Sequence, residues 1–235
     1  MDFKRIEWIF LVAFIAIDVF LFVSFTTNNQ FTTTTSTGSS RESTILKEMK
    51  DDSITVNTLS AKRSSGYYIS SDGGDILTTQ SEQLTNQSIR FNDDELIGTF
   101  TRPITIDEND PSKVLNKIVA NKNRISFGSH YVYDAQLTAS ASDTIVYVQK
   151  GPGENVFSSD GVIRFKQNSK NQITGYTQTY MHAIKTLREK EATISQKKAV
   201  IWLYQHNEIP NNSKIRWAKL GYAKLLSLKG NTVYI

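Results

Sequence analysis

One stretch limits what this chain can become: residues 6–25, IEWIFLVAFIAIDVFLFVSF, an apolar run of 20 interrupted only by Glu7, Asp18 and Ser24. At about 1.5 Å of rise per residue, a helix of that length spans ~30 Å, the thickness of a bilayer's hydrocarbon core. Lys4 and Arg5 precede the run, and the next basic residue is Arg41. Cytoplasmic flanks carry the excess of basic residues. The expected topology is therefore a cytoplasmic tail at 1–5, a transmembrane helix at 6–25 and an extracellular body, single-pass in the plasma membrane. A cleaved signal peptide fits less well, because its apolar core is usually ~7–15 residues and a small-x-small site follows it. Here the nearest candidate, Val23-Ser24-Phe25, ends on a bulky ring. Without any cysteine a lipoprotein anchor is excluded.

Within the run, Asp18 stands out. It lies ~10 Å from the outer end of the helix, too deep for a short side chain to reach water easily. Burying an aspartate there costs about 2.5–3.5 kcal/mol on insertion scales, so such residues usually face a partner helix or a polar cavity. Glu7 lies 11 residues earlier, which brings both carboxyls within about 20° of one face. Leu11, Phe14, Ile15, Leu21 and Phe22 lie close to that stripe, and together these residues form the expected contact face for partner helices. The alternative is that Glu7 sits among the lipid headgroups and the surrounding apolar residues simply tolerate Asp18.

Residues 26–44, TTNNQFTTTTSTGSSREST, are too polar to bury a core and read as a Ser/Thr-rich linker. The body follows. It has no cysteine, so packing alone must hold it. The whole chain carries 27 basic and 23 acidic residues, a modest and dispersed excess that suggests no nucleic-acid surface.

Periodicity gives the body its elements. ILKEMKDD, from Ile45, reads as a short helix. ITVNTLS and GYYIS read as strands, closed by the SDGGD turn. Residues 78–88 read as loop or weak helix, and a turn at 92–95 joins IRF to LIGTF, with Pro103 at a strand end. The clearest helix is 110–123, with Asp110 as N-cap, Pro111 in the first turn and Val114, Leu115, Ile118 and Val119 on one face. HYVYDAQLT, SDTIVYVQK, GVIRFKQN and QITGYTQTY read as an antiparallel meander. Tyr180, Met181, Ile184 and Leu187 then suggest a helix through YMHAIKTLREKE. A second helix begins at Ser195, with Ala199, Val200, Leu203 and Tyr204 as its stripe and Pro210 beyond it. Strand signals return from Lys214, and Gly230-Asn231 marks a hairpin into TVYI. That apolar ending, with no polar tail, leads us to expect further residues after Ile235. The fold class expected is α+β, antiparallel sheets with helices on one face, in two lobes at 45–125 and 126–235.

A search for chemistry finds little. His130, His182 and His206 fall in separate elements, and neither H-x-x-x-H nor H-E-x-x-H occurs, so no metal site is expected. No G-x-S-x-G and no phosphate-cradling glycine loop is present. Trp202, Trp217 and Tyr204 read as core residues rather than a sugar platform. No catalytic or cofactor-binding residue is assigned, and none is expected.

The order of several segments carries a resemblance: MDFKRIEWIFLVAF, HYVYD, IVYVQKG, FSSDGVIRF, ITGYTQTYM, and ISQKKAVIWLYQHNEIP followed by KLGY. Together they are similar to the YycI family of membrane-anchored regulators from low-GC Gram-positive bacteria. The resemblance implies one N-terminal span, an extracellular α+β body and a non-enzymatic role without cofactors. It also implies a hetero-complex with a YycH-like membrane protein and a WalK/YycG-like sensor histidine kinase, formed through transmembrane helices and controlling cell-wall metabolism. Two other classes stay open: an anchored module that binds a wall fragment or peptide, and a surface hydrolase built from scattered Asp, Ser and His.

Overall fold

In chain order the strands are β1 (Thr55–Val56), β2 (Ser65–Gly66), β3 (Ile69–Asp72), β4 (Gln87–Asn92), β5 (Glu95–Thr105), β6 (Tyr131–Tyr133) and β7 (Thr144–Gln149). They continue with β8 (Val162–Gln167), β9 (Gln172–Gln178), β10 (His182–Thr186), β11 (Glu191–Ala192), β12 (Lys214–Ile215), β13 (Lys224–Leu228) and β14 (Asn231–Tyr234). The helices are α1 (Thr37–Asp51), α2 (Ile76–Ser81), α3 (Pro111–Val119), α4 (Ala135–Ser140) and α5 (Gln196–Gln205). Trp8 and residues 11–19 are also helical. This computed structural model describes residues 8, 11–19, 37–72, 76–107, 109–141, 143–228 and 231–235. The chain divides into two compact units, Met1–Val56 with Val200–Ile215, and Asn57–Ala199 with Arg216–Ile235.

In the first unit α1 buries Ile45 and Met49, one helical turn apart on a single face. The helix begins at Thr37, inside the stretch whose composition reads as linker. Once a turn is nucleated by buried residues, each further residue adds a hydrogen bond at little cost, so helix propagates into Ser/Thr sequence that would not start one. Residues 26–36 of that linker lie outside the described residues. The chain leaves α1 through Ile54, which is buried, into β1, which pairs in parallel with β12. Tyr204 donates its hydroxyl to Asp52 at 2.7 Å.

The second unit is built on a six-stranded sheet in the order β4-β5-β9-β8-β7-β6, antiparallel at every pairing. The β7-β8-β9 meander and the 92–95 turn match expectation. The sheet draws strands from both sides of position 125, because β5 pairs with β9 from Leu96↔Gln178 onward. Strand β7 is buried at five consecutive positions after Thr144, the mark of a strand covered on both faces. Its Ile145 and Tyr147 join the main core with Phe165, Ile173, Tyr176 and, from α3, Leu115 and Val119. Val146 and Val148 point the other way, against Val162 and Leu137 of α4. Helices thus cover both faces of this sheet, which corrects the one-face expectation.

A second sheet has the order β10-β3-β14-β13 and packs Ile69, Met181, Tyr222 and Tyr234 around Val156. The β13–β14 pairing closes at Leu228↔Asn231; Gly230, like the glycines of the SDGGD turn, lies outside the described residues. Short β2 pairs with β11.

Three local expectations are corrected. AQLT is helical in α4, not strand, because the Asp134 carboxylate accepts hydrogen bonds from the amides of Gln136 and Leu137 at 3.0 and 2.8 Å, which starts a helix. Residues 182–186 form β10, not helix. The register of β10 slips between His182 and Lys185, and Ala183 takes φ 49°. That bulge turns Met181 and Ile184 into the same core, so two residues three apart imitate a helical stripe. Pro103 lies inside β5, at the register break between Thr99 and Ile104, where the missing N–H breaks no ladder bond. The helix at 76–81 falls within the alternatives read for 78–88. The starts of α3 and α5 hold: the Asp110 side chain accepts from the Lys113 amide, and Ser195 Oγ accepts from the Lys198 amide at 3.2 Å. Helix α3 ends at Val119, short of 123, and Leu203, expected on the stripe of α5, is 44% exposed.

Candidate functional site: the exposed N-terminal helix

Residues 11–19, LVAFIAIDV, contain no glycine or proline and are uniformly helical. All are exposed, as is Trp8; Trp8 and Phe14 reach 68% and 63% exposure. Contiguous apolar surface of this kind marks a surface that meets another protein or a lipid phase. Helical geometry places Leu11, Phe14, Ile15 and Asp18 within about 100° of arc, so the structure brings four of the expected contact residues onto one face. Glu7, Leu21 and Phe22, and the topology determinants Lys4 and Arg5, lie outside the described residues. Among the described residues, no helix is long and apolar enough to cross a membrane.

Several polar groups of the body, by contrast, hold the fold. His130 Nδ1 lies 2.7 Å from the Tyr180 hydroxyl, and Tyr180 stacks on Phe127 with centroids 4.3 Å apart. His206 Nδ1 lies 2.7 Å from the carbonyl of Trp202, one turn earlier. His182 opens β10. The Ser71 hydroxyl donates to the His182 backbone carbonyl at 2.9 Å, but no histidine ring nitrogen has a Ser or Thr hydroxyl as a hydrogen-bond partner among the described residues. Nor do three His, Asp or Glu side chains there converge as a metal site would need.

Two aspartates illustrate how charge is handled. Burial pushes the Asp134 carboxyl up, but hydrogen bonds from the Leu137 amide, Lys219 and the Gln136 amide outweigh it and leave it below the usual range. Lys219 Nζ sits 2.9 Å from Asp134 Oδ2. Asp160 follows the same logic: burial raises it, while Tyr234 (2.8 Å) and Lys224 (3.1 Å) bring it lower than usual. Buried Gln149 clamps the Met181 backbone with two bonds of 2.8 Å, donating to its carbonyl and accepting from its amide. Of the three expected core aromatics, Trp217 and Tyr204 are half-buried. Trp202 is 58% exposed, a correction, since Val200 and Ile201 take the buried side of α5.

The sequence did not foretell a groove lined by Tyr67, Ile194, Leu220 and Tyr222. Those residues come from three separate segments, and no linear spacing connects them.

The chain matches the family described as YycI protein over residues 33–235. That range contains α1 and everything after it; the helix at 11–19 precedes it. No curated protein matches the chain.

Proposed function

The chain belongs to the YycI family, a regulatory family, and from that membership we propose that it is a non-enzymatic, membrane-anchored regulator of a WalK/YycG-like sensor kinase. It acts in a hetero-complex with a YycH-like partner. Residues 6–25 form the span, with the short tail in the cytoplasm and the body outside. The observation that carries this reading is the uniform exposure of an apolar helix that bears one carboxylate on its Leu11–Phe14–Ile15 face. In water such a surface is unfavourable; in a bilayer its apolar residues face lipid and Asp18 needs a polar partner.

To regulate a two-state kinase, the helix must bind the two states with different free energies, typically by about 1–3 kcal/mol. An Asp18 hydrogen bond to a partner helix supplies part of that difference. Interhelical polar contacts average about 0.6 kcal/mol and reach ~1.7 kcal/mol.

Because the chain has no cysteine, single cysteines can be placed along the helix and cross-linked to partner spans in membranes. The expected result is cross-linking to the kinase or the YycH-like protein from positions 11, 14, 15 and 18 and little from Ala13 and Ala16. Equal cross-linking around the helix, or none, contradicts a specific helix face.

A further inference from the structure

We propose that the body binds an extended peptide carrying a basic side chain and, two residues away, an acidic one, in a two-chambered groove of the second unit. The site is separate from the N-terminal helix, and nothing in its argument depends on the membrane reading.

The first chamber, about 310 Å³, has walls from Tyr67, Leu220, Tyr222 and Ile235. The second, about 240 Å³, is lined by small and polar residues including Ser60, Ser64 and Ala218. Thr193, Ile194 and Leu220 border both, so the two chambers adjoin. Ile194 is half exposed there. The Thr193 hydroxyl is buried without a hydrogen-bond partner among the described residues.

Charge is arranged along the groove. Glu154 and Glu191 belong to the apolar chamber. Arg188 lies 3.9 Å from Glu191, but Glu154 has no ion-pair partner among the described residues. Its loop is held firmly: the Gly151 amide donates to the Glu154 carbonyl at 2.9 Å, and the Tyr222 hydroxyl donates to the Pro152 carbonyl at 2.7 Å. Glu154 thus stands on a braced backbone at an apolar chamber, with no ion-pair partner among the described residues, which suits a side chain with an aliphatic stem and a cationic tip. At the other chamber stand Lys62 and Lys219. Lys219 is already paired with Asp134, leaving Lys62 as the cation that lacks an ion pair among the described residues.

An extended peptide alternates its side chains and places residues i and i+2 on one face ~7 Å apart. That spacing suits two adjoining chambers, with the backbone crossing at Thr193. The basic side chain enters the apolar chamber toward Glu154, and the acidic one turns to Lys62.

The test uses full-length protein in lipid nanodiscs and a fluorescein-labelled peptide, Ser-Lys-Val-Glu-Ser with an amidated C-terminus, read by anisotropy. Replacing the peptide lysine by norleucine, or Glu154→Gln in the protein, is expected to weaken binding about tenfold, the scale of one partly desolvated charge pair. Because both changes remove the same pair, combining them should weaken binding no more than either alone. Lys62→Gln should act the same way with a Glu→Gln peptide. Absence of saturable binding overturns the proposal. So does a norleucine peptide that binds as well as the parent, or losses that simply add, since then Glu154 is not the partner of the basic group.

Discussion

Replacing Asp134 by alanine should destabilise the body by about 2 kcal/mol, and the structure divides that loss into two parts. The carboxylate caps α4 through the amides of Gln136 and Leu137, and loss of such a cap costs ~1 kcal/mol. It also pairs with Lys219, but the lysine side chain is one-third exposed while that of Asp134 is 4% exposed. Solvent screening on the lysine side therefore limits the pair to about 0.5–1 kcal/mol. Asparagine caps about as well as aspartate, so Asp134→Asn should lose only the pair, and Lys219→Met should lose a similar amount. Urea unfolding of the full chain in detergent micelles, followed by circular dichroism, measures all three and the double variant. The cycle should return a coupling of about 0.5–1 kcal/mol. Its pH dependence has a definite sign, since the folded carboxyl lies below its ordinary value of 3.8. The stabilisation is complete above that value and is lost as pH falls through the depressed folded value. The gap between the native protein and Asp134→Asn should therefore be constant at neutral pH and close on acidification. A loss under ~0.5 kcal/mol for Asp134→Ala, or a gap that widens in acid, would refute the reasoning.

Gly98→Ala should also destabilise, by about 1–3 kcal/mol in the same unfolding assay, through overpacking. A Cβ there meets the ring of Tyr176, which is buried and bonded through its hydroxyl to the Arg124 carbonyl; an unchanged midpoint would mean the ring can move aside. Trp202→Ser should leave stability within ~0.5 kcal/mol, since that indole is mostly exposed. A larger loss would place it in a buried contact.

The parts of the fold legible in sequence are those governed by local rules. Asp110-Pro111 fixes the start of α3, Ser195 that of α5, and short apolar runs bounded by turn residues define the β7, β8 and β9 meander. Where tertiary packing overrides local pattern, the reading fails. The bulge at Ala183 makes β10 look helical, Asp134 makes a helix from residues that continue a strand pattern, and α1 grows back into linker-like sequence. Trp202 looked like core because a tryptophan on an amphipathic helix usually is; only the three-dimensional arrangement shows that Val200 and Ile201 take that role. The candidate site divides the same way. Apolar length and a lone carboxylate at Asp18 are visible in one dimension. The groove between Tyr67, Ile194 and Tyr222 requires the fold.

The central claim is that the N-terminal helix is a working part rather than a tether, and kinase output in cells tests it most directly. Cells would carry the full chain, residues 1–27 alone, or residues 37–235 on an unrelated span, with Asp18→Leu introduced into the first two. Phosphorylation of the response regulator is the readout. The account predicts that the short helix reproduces much of the regulation and that Asp18→Leu weakens it in both settings. Regulation delivered only by the body on the foreign span, with Asp18→Leu silent, would contradict it.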